Sequence, residues 1–450
     1  MTKRLLGSVA SVLAILVAMG SFQEAHAAGF QLFDQSPSGQ GEAFAGAAAV
    51  HEDASTIFYN PAGMAYLDTY QAIAGVQIIS SNFTFQPTHA TTGAGTPLMG
   101  TSGTGGVTAP LGNFYVMAPL GDDFRAGLGV ETPFGLETDY GNTWIGRYYA
   151  QRTQLKTYNF NPSVSYKAND WLSAGVGFNV MYADAFFSNA IDFGSIFNPI
   201  IGTAPQSQDG QSKLAVSGTG YGFNGGVIIK PLEHTTVGIS YRSMVHLDLD
   251  GRATFSTTPT ISQTLALLQA LHNPVGNAFQ STGVRSTLNL PESASLAATQ
   301  QLTDKWLLLG DVTWTHWSRF HDLVADFNNP AQPQQATEED WHDTYRWAGG
   351  LNYTATDKAK LRLGIAYDPT PTKTEFRNFR IPDANRFWLS AGYNVELIPD
   401  LSLDFAYTHI FVLTDGSVNL VNNPAAPAGN INGTFDSSAN IFAVGLKYNF

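Results

Sequence analysis

The chain has 450 residues, no cysteine and a formal net charge of −13, and each of these properties narrows its class. An acidic chain lacks the basic surface that nucleic-acid binding requires. The absence of cysteine excludes a disulfide framework, a thiolate metal site and a lipid anchor on an N-terminal cysteine. Charged residues make up 13% of the chain, about half of the usual share in soluble domains, while the hydrophobic content of 44% is ordinary. Membrane barrels have this composition.

The N-terminus has the pattern of a secretory signal peptide. Lys3 and Arg4 precede an apolar run over residues 5–19, and residues 25–27 read Ala-His-Ala, which signal peptidase prefers. The run is shorter than the ~20 residues that span a membrane, so a cleaved signal over residues 1–27 is favoured over an anchor. No later apolar run approaches that length. The exported chain is therefore predicted to be a periplasmic protein or a β-barrel.

Residues 28–68 are predicted to form a plug, or hatch, inside a barrel. This segment is rich in Gly, Ala and Ser, and it has no Lys or Arg. Its acidic residues are Asp34, Glu42, Glu52, Asp53 and Asp68. Side chains alone cannot fill the lumen of a large barrel, which favours a separate plug. A disordered periplasmic tail is the alternative that the composition leaves open.

Residues 69–450 are predicted to form fourteen antiparallel membrane strands, an all-β fold. In the last strand, apolar residues alternate with small or polar ones up to Phe450, as a lipid-facing strand requires. A strand of a soluble sandwich would alternate similarly. Six short turns are expected at residues 121–123, 168–170, 231–234, 303–304, 356–358 and 399–400. Seven longer loops lie near 87–110, 137–152, 188–211, 251–283, 321–341, 371–381 and 415–437. This arrangement predicts periplasmic termini and extracellular loops.

The third strand contains a break. Its sequence, "GLGVETPFGLETDY", alternates normally and then has Pro133 and Gly135 in the middle of the wall. Proline cannot donate a hydrogen bond to a neighbouring strand, and glycine weakens strand pairing. The wall is therefore expected to open here. The alternative is a strand that ends at Thr132.

Two predicted extracellular loops are unusually apolar, "FFSNAIDFGSIFNPII" and "ISQTLALLQALHNPVGNAF". The second indicates a short helix capped by Ser262, with Leu265, Leu268 and Leu271 on one side. Exposed apolar surface of this kind indicates a binding groove. A loop that packs on its neighbour would give the same pattern.

Several longer motifs together resemble the FadL/TodX family of outer-membrane transporters for long-chain fatty acids and aromatic hydrocarbons. They include "AGFQLFDQSPSGQGEAFAG", "EDASTIFYNPAGM", "ETPFGLET", "TWTHWSRF" and "RIPDANRFWLSAG", and the similarity extends over essentially the whole chain. The resemblance implies a fourteen-stranded barrel closed by an N-terminal hatch. It also implies passive diffusion of hydrophobic molecules without ATP.

The resemblance further implies positions for the functional residues. Phe30 is expected in a ligand pocket, the motif Asn60, Pro61 and Ala62 in the hatch, and a lateral exit at Pro133 and Gly135. The stretch "YADAFFSN" matches a part of the family's pocket and contributes Phe186, Phe187 and Asn189. Asn189 stands where the best-known fatty acid carrier has an arginine for the cargo carboxylate, which keeps aromatic hydrocarbons and alkanes as alternative cargo. Leu265 and Leu268 would belong to an external capture groove.

Three arginines are predicted to point into the lumen, because of their place in the alternation of three consecutive strands. They are Arg346, Arg362 and Arg386. Ion pairs with the acidic hatch are the favoured role, and binding of a fatty acid carboxylate is the competing one.

The predicted function is passive uptake of hydrophobic compounds, with long-chain fatty acids as the first choice of cargo. A hydrophilic porin and an outer-membrane lipid hydrolase are the alternatives. We expect no enzyme, because a Gly-x-Ser-x-Gly elbow and a His-Glu-x-x-His motif are both missing. No cofactor, metal site or nucleic-acid partner is expected. The expected partners are the cargo, outer-membrane lipid, lipopolysaccharide and the barrel assembly machinery through Phe450, for a monomer in a Gram-negative outer membrane.

Overall fold

Alternating sequences of the kind described above form a closed barrel of fourteen antiparallel strands in the computed structural model. The structure describes residues 29–93, 95–414, 416–421 and 429–450, so the predicted signal peptide lies outside it. The strands are β1 (Gln71–Thr91), β2 (Thr108–Leu120), β3 (Phe124–Glu131 and Gly135–Asp139), β4 (Arg152–Asn169), β5 (Leu172–Asp192), β6 (Asp209–Leu232), β7 (Thr235–Arg242 and Val245–Ser256), β8 (Thr282–Leu290 and Ser293–Thr303), β9 (Trp306–Thr315 and Asp322–Phe327), β10 (Gln335–Glu338 and Thr344–Thr356), β11 (Ala359–Asp368), β12 (Arg386–Ile398), β13 (Leu401–Val412) and β14 (Asn430–Asn449). A short segment, Val418–Leu420, also pairs with β14.

Barrel closure results from pairing of the first strand with the last. β1 is hydrogen-bonded to β2 on one side and to β14 on the other, so neither terminal strand leaves an open sheet edge. Residues at alternate positions of β14 face outward and are exposed, including Phe442, Val444, Leu446 and Tyr448. Short connections follow β2, β4, β6, β8, β10 and β12, as the six predicted turns require. The prediction of a fourteen-stranded antiparallel barrel is confirmed.

The segment before β1 packs inside the barrel. It contains two short helices, α1 (Pro37–Gln40) and α2 (Thr56–Tyr59), and a 3-10 helix, Pro61–Tyr66. Apolar side chains of this hatch, among them Phe44 and Ile57, are almost completely buried. They pack against lumen-facing residues of the strands such as Leu309 and Tyr115.

The longer loops carry the remaining helices, α3 (Phe193–Ile201) and α4 (Pro259–Ala270), and two 3-10 helices, Pro274–Asn277 and Trp317–Arg319. No helix in the described ranges is long and apolar enough to cross a membrane. The predicted cap of α4 was wrong. Thr258 accepts the hydrogen bond from the amide of Ile261, since Pro259 suits the first helical position. Ser262 instead contacts Thr257, and Leu271 follows the end of the helix and is exposed.

Candidate functional site

The barrel wall is open between β2 and the outer half of β3. Both segments of β3 pair with β4. β2 pairs only with the first segment, and the last pair is Phe114 with Val130. Residues Thr108–Asn113 of β2 pair with β1 on one side, and no strand of the described chain pairs with them on the other. Six residues of β2 therefore border a gap.

The hatch, rather than β2, satisfies the backbone of the kink. The amide of Leu32 donates to the Pro133 carbonyl at 2.9 Å, and the amide of Gly135 donates to the Phe30 carbonyl at 2.9 Å. The side chain of Gln35 binds both backbone groups of Thr132, at 2.7 and 3.0 Å. Buried backbone groups need such partners, so residues 30–35 replace a neighbouring strand here.

The hatch approaches Gly135 closely, so that any side chain at this position would displace the side chain of Leu32. A Cβ atom at this position would lie 2.8 Å from Cδ1 of Leu32. Two causes of the break are visible in the sequence, the missing hydrogen-bond donor of Pro133 and the weak strand pairing of Gly135. The structure adds a third cause, which is the space that the hatch residues need beside the strand.

A cavity of about 680 Å³ extends from the lumen to this gap. On the lumen side its walls include Phe30, Asp34 and Arg386, and on the side of the gap they include residues 107–112 and Tyr158. Apolar side chains line much of the rest, namely Ile79, Leu136, Leu155, Trp388 and Ile410. The cavity is large enough for a small hydrophobic molecule.

Phe30 lines this cavity and lies in a cluster of aromatic rings. Its ring centre is 4.9 Å from that of Trp317, 5.3 Å from Phe320 and 5.6 Å from Trp341. A second cavity of about 30 Å³ lies beyond the ring, and Phe30 lines both. The tryptophans were not selected from the sequence, although Trp317 lies in the quoted motif "TWTHWSRF".

The residues chosen in "YADAFFSN" are divided between two faces of β5. Phe187 lines the small cavity, whereas Phe186 lies on the opposite face beside the guanidinium of Arg152, 5.8 Å away. Asn189 accepts a hydrogen bond from Arg380 at 3.4 Å. Adjacent strand residues point to opposite faces, so the alternation itself could have separated the two phenylalanines.

Leu265 and Leu268 pack between the two loop helices. They contact a buried cluster of Phe193, Phe197 and Ile261, and so join α4 to α3. Neither leucine lines the larger or the smaller cavity. The exposed apolar residues of these helices are different ones: Ile196, Ile200, Ile201 and Leu267.

The motif Asn60, Pro61 and Ala62 fastens the hatch to the barrel wall. The side-chain amide of Asn60 donates to the carbonyls of Ala48, at 2.7 Å, and Val227, at 3.1 Å. Its oxygen accepts the amide of Ala62 at 3.1 Å. Gly175 of β5 permits this contact, because a Cβ atom there would lie 2.4 Å from the nitrogen of Ala62.

The three inward arginines have different surroundings. Arg362 lies 3.1 Å from Glu42 and 3.3 Å from Glu52 of the hatch, and 2.5 Å from Asp404 of β13. Arg346 donates to the hatch carbonyl of Ala43 at 2.6 Å. Arg386 faces the large cavity, and its ion pairs are with Asp368, at 3.6 Å, and Asp383, at 3.9 Å.

Burial and neighbouring cations act in opposite directions on the hatch carboxylates, and the outcome differs between Asp34 and Glu52. It raises the pKa of Asp34 to about 7, although the charges of Arg346 and Arg386 oppose the shift. Burial also acts to raise the pKa of Glu52, but the charges of Lys360 and Arg362 outweigh it and hold that pKa well below its usual range. Lys360 contacts Glu52 at 2.7 Å. Among the described residues, no group of His, Asp or Glu has an arrangement that could hold a metal ion.

A closed antiparallel barrel with an apolar outer face and a plugged lumen defines an integral protein of the bacterial outer membrane. Residues 17–450 match the family model "Outer membrane protein transport protein (OMPP1/FadL/TodX)", and the chain belongs to this family. It is therefore an outer-membrane transporter for hydrophobic compounds of a Gram-negative bacterium. Its named relatives are transporters and channels rather than enzymes.

Individual relatives cover nearly the whole chain. The "Long-chain fatty acid transport protein" of Escherichia coli O6:H1 is 28% identical, over 98% of this chain and 98% of that protein. The crystal structure of a Pseudomonas aeruginosa FadL homologue is 26% identical, with a TM-score of 0.86, and covers 94% of this chain and 100% of that one. The P. putida toluene transporter TodX shares the fold, with 16% identity, a TM-score of 0.68 and coverage of 95% and 99%.

Proposed function

We propose that this protein takes up long-chain fatty acids, which pass from the lumen cavity beside Phe30 sideways through the wall at Pro133 and Gly135. The observation that carries the proposal is the unpaired stretch of β2, which borders a largely apolar cavity of about 680 Å³. Polar backbone facing lipid costs several kcal/mol per group. Such a gap is tolerable where it faces a cavity of the protein itself.

The hatch would couple occupancy of the cavity to the width of the gap. Residues 30–35 line the large cavity at several positions and also bind the backbone of the kink. Cargo that displaces the ring of Phe30 would pull on Leu32 and Gln35, which hold the β3 edge. Entry of cargo would therefore loosen the contacts that fill the opening.

Capture of cargo at the cell surface is proposed for the two loop helices. Their exposed Ile196, Ile200 and Leu267 form an apolar surface, while Leu265 and Leu268 hold the helices together.

Lipopolysaccharide and lipid would surround the barrel. Phe450, exposed and 5.6 Å from the ring of Tyr70, remains the proposed contact for the assembly machinery.

Aromatic hydrocarbons are the second candidate cargo, because the rings around Phe30 would also suit a flat apolar molecule. Fatty acids are favoured as cargo because the Escherichia coli relative is named "Long-chain fatty acid transport protein". Uptake of labelled oleate and labelled toluene should be compared in cells that lack the protein and in cells that express it. Expression should increase oleate uptake, and an increase for toluene alone would reverse the choice.

A disulfide across the gap tests the lateral route. Register extrapolated beyond the pair Phe114 and Val130 would bring Gly112 opposite Thr132 in a closed wall. In the open wall a Cβ atom at Gly112 meets nothing within 4 Å, so a disulfide between the two positions forms only as the gap closes. The double variant Gly112→Cys with Thr132→Cys should lose oleate uptake when oxidised and recover it with reductant. The chain has no other cysteine.

The matched control is Ala118→Cys with Ala126→Cys, at a pair where β2 and β3 are already bonded. Its uptake should not respond to oxidation. Full uptake by the oxidised Gly112 and Thr132 pair, with the disulfide demonstrated by mass spectrometry, would exclude exit through the gap.

A further inference from the structure

The barrel wall is also interrupted between β8 and β9. The two strands pair near the longer loops, up to Arg285 with Asp326, and the pairing resumes only at Ser293 with Thr315. Between these pairs lie seven residues of β8 (286–292) and ten of β9 (316–325). In the described chain, residues 286–291 are paired with no residue of β9, and we call this interruption the second gap.

Two local features of the sequence keep the strands apart at the second gap. Pro291 interrupts β8 and cannot donate a backbone hydrogen bond, as Pro133 cannot in β3. In β9 the motif "TWTHWSRF" leaves the strand conformation and forms the 3-10 helix Trp317–Arg319. The longer stretch of β9 therefore does not run alongside the shorter stretch of β8, and the wall opens.

The second gap begins just beyond an aromatic girdle. Tyr241 of β7, Trp314 of β9 and Tyr345 of β10 lie in one row across paired strands, with Ala294 of β8 between the first two. Rings in such a row occupy the membrane–water interface of an outer-membrane barrel. Glu292 lies two residues beyond Ala294, so the second gap opens at the level of the lipid head groups, on the side of the longer loops.

The small cavity lies directly inside the second gap. Ser286 and Leu288 of β8 line it, and so do Phe320 and Leu323 of β9. These four residues come from both sides of the unpaired stretch. The two edges of the second gap therefore form one wall of the cavity.

The two gaps lie nearly opposite each other in the barrel. Six strands, β3–β8, separate them on one side, and the remaining eight separate them on the other. The large cavity adjoins the gap between β2 and β3, and the small cavity adjoins the second gap. Phe30, Leu136, Leu155 and Ile381 line both cavities and form the partition between them.

Apolar rings connect the second gap with the loop helices. Phe279 packs against the cluster that joins α3 and α4, and its ring centre is 5.9 Å from that of Phe255. The ring centre of Phe255 is 6.1 Å from that of Phe327, which pairs with Val284 beside the second gap. The surface proposed for capture is therefore continuous with the second gap.

We propose that hydrophobic cargo enters the barrel through the second gap and so crosses the lumen from one side of the wall to the other. The inference rests on the proposed function and adds an entrance to it. Cargo collected on the loop helices passes Phe255 and Phe327 and enters between residues 286–291 and Leu323. Unpaired backbone at this edge is tolerable because it borders a cavity of the protein itself.

Phe320 is the gate on this path. Its ring is buried and lies 5.3 Å from Phe30 and 4.7 Å from Trp341, in both cases nearly edge to face. At about 30 Å³ the small cavity holds roughly one water-sized group, so cargo enters only when the ring moves. The backbone beside it is held, because Arg319 donates to Glu292 at 2.8 Å.

A disulfide across the second gap tests the entrance. Register continued beyond Arg285 and Asp326 would bring Thr287 opposite Val324 in a closed wall. Thr287→Cys with Val324→Cys, once oxidised, should lose uptake of whichever of labelled oleate and toluene the wild type takes up, and should recover it with reductant. If the reduced form is inactive, Ser286→Cys with Ala325→Cys, the neighbouring pair in that register, takes its place.

The matched control is Ser295→Cys with Thr313→Cys. These residues are already paired on the same two strands, their hydroxyl oxygens are 2.7 Å apart, and neither lines the large or the small cavity. Its uptake should not respond to oxidation.

Loading of the lumen distinguishes the entrance from the exit. Labelled oleate retained by the purified protein after gel filtration should be lost in the oxidised Thr287 and Val324 variant. The oxidised Gly112 and Thr132 variant should still retain it, because cargo enters that barrel and cannot leave. Phe320→Ala should load roughly 10-fold faster than wild type, since two ring contacts no longer hold the gate; Phe320→Leu serves if the alanine variant does not fold.

The outcomes separate this inference from the proposed function. Full uptake or full loading by the oxidised Thr287 and Val324 variant, with the disulfide shown by mass spectrometry, overturns the entrance and leaves lateral exit standing. An equal loss in the oxidised control also overturns it. Failure of wild type to take up either compound overturns the proposed function and the inference together.

Discussion

Replacing Arg362 by glutamine removes the cation that joins the hatch to the barrel wall. The side chain is almost completely buried and lies within 3.3 Å of carboxylates of Glu42, Glu52 and Asp404. Breaking a buried ion pair by removing one partner costs about 3–5 kcal/mol. Lys360 still contacts Glu52 at 2.7 Å, so we expect the lower end of that range. About 3 kcal/mol corresponds to a roughly 100-fold increase in the population with a loosened hatch.

Ion conductance in planar bilayers measures this population directly. Arg362→Gln should show frequent openings that wild type lacks, and cells that express it should become sensitive to large antibiotics. Arg386→Gln is the matched control, because the ion-pair partners of Arg386 are Asp368 and Asp383 outside the hatch. Equal conductance of Arg362→Gln and wild type, or equal increases in both variants, would refute the assignment of Arg362 to hatch seating.

Three further variants test other parts of the hatch and the kink. The pKa of Asp34 is raised from 3.8 to about 7, so the folded hatch retains a proton and loses stability as the pH rises through that interval. Asp34→Asn should therefore reduce the difference in unfolding temperature between pH 5 and pH 8; an unchanged difference would contradict this. Asn60→Ala leaves the carbonyls of Ala48 and Val227 without their donor and should destabilise the hatch by about 1–3 kcal/mol, seen as faster proteolysis of the hatch in a folded barrel. Pro133→Val with Gly135→Val should displace Leu32 rather than close the wall, since six residues of β2 stay unpaired; a sharp loss of oleate uptake in that folded variant would count against this account.

The barrel could be predicted from the sequence because each membrane strand obeys a local rule. Lipid on one side and lumen on the other impose a period of two residues, and short turns impose the connectivity. Neither rule needs knowledge of distant contacts. The position of the break in β3 followed from the same logic, since proline and glycine disturb pairing at the residue where they occur.

The partners of the inward side chains could not be predicted in this way. Alternation shows that Arg346, Arg362 and Arg386 face the lumen, but it does not show what lies opposite them. Arg362 pairs with Glu42 and Asp404, which lie far from it in the sequence. Arg386 pairs with Asp368 of the neighbouring strand β11. Only the closed barrel brings these groups together. The sequence favoured ion pairs with the hatch for all three arginines, whereas the structure gives each of them different partners.

The contacts at the opening in the wall and beside the small cavity are also the least local. Gln35 binds Thr132 across 97 positions, and Asn189 binds Arg380 across 191. Gln35 is an ordinary polar residue in a polar segment, so no periodicity marks it, and its importance depends on an edge left free by the kink far along the chain. Arg380 is equally unmarked, because a loop has no inward or outward face until it folds over the barrel. A sequence pattern can thus locate a gap in the wall, whereas the residues that fill the gap and line the cavities are defined only when the hatch and the loops meet inside the barrel.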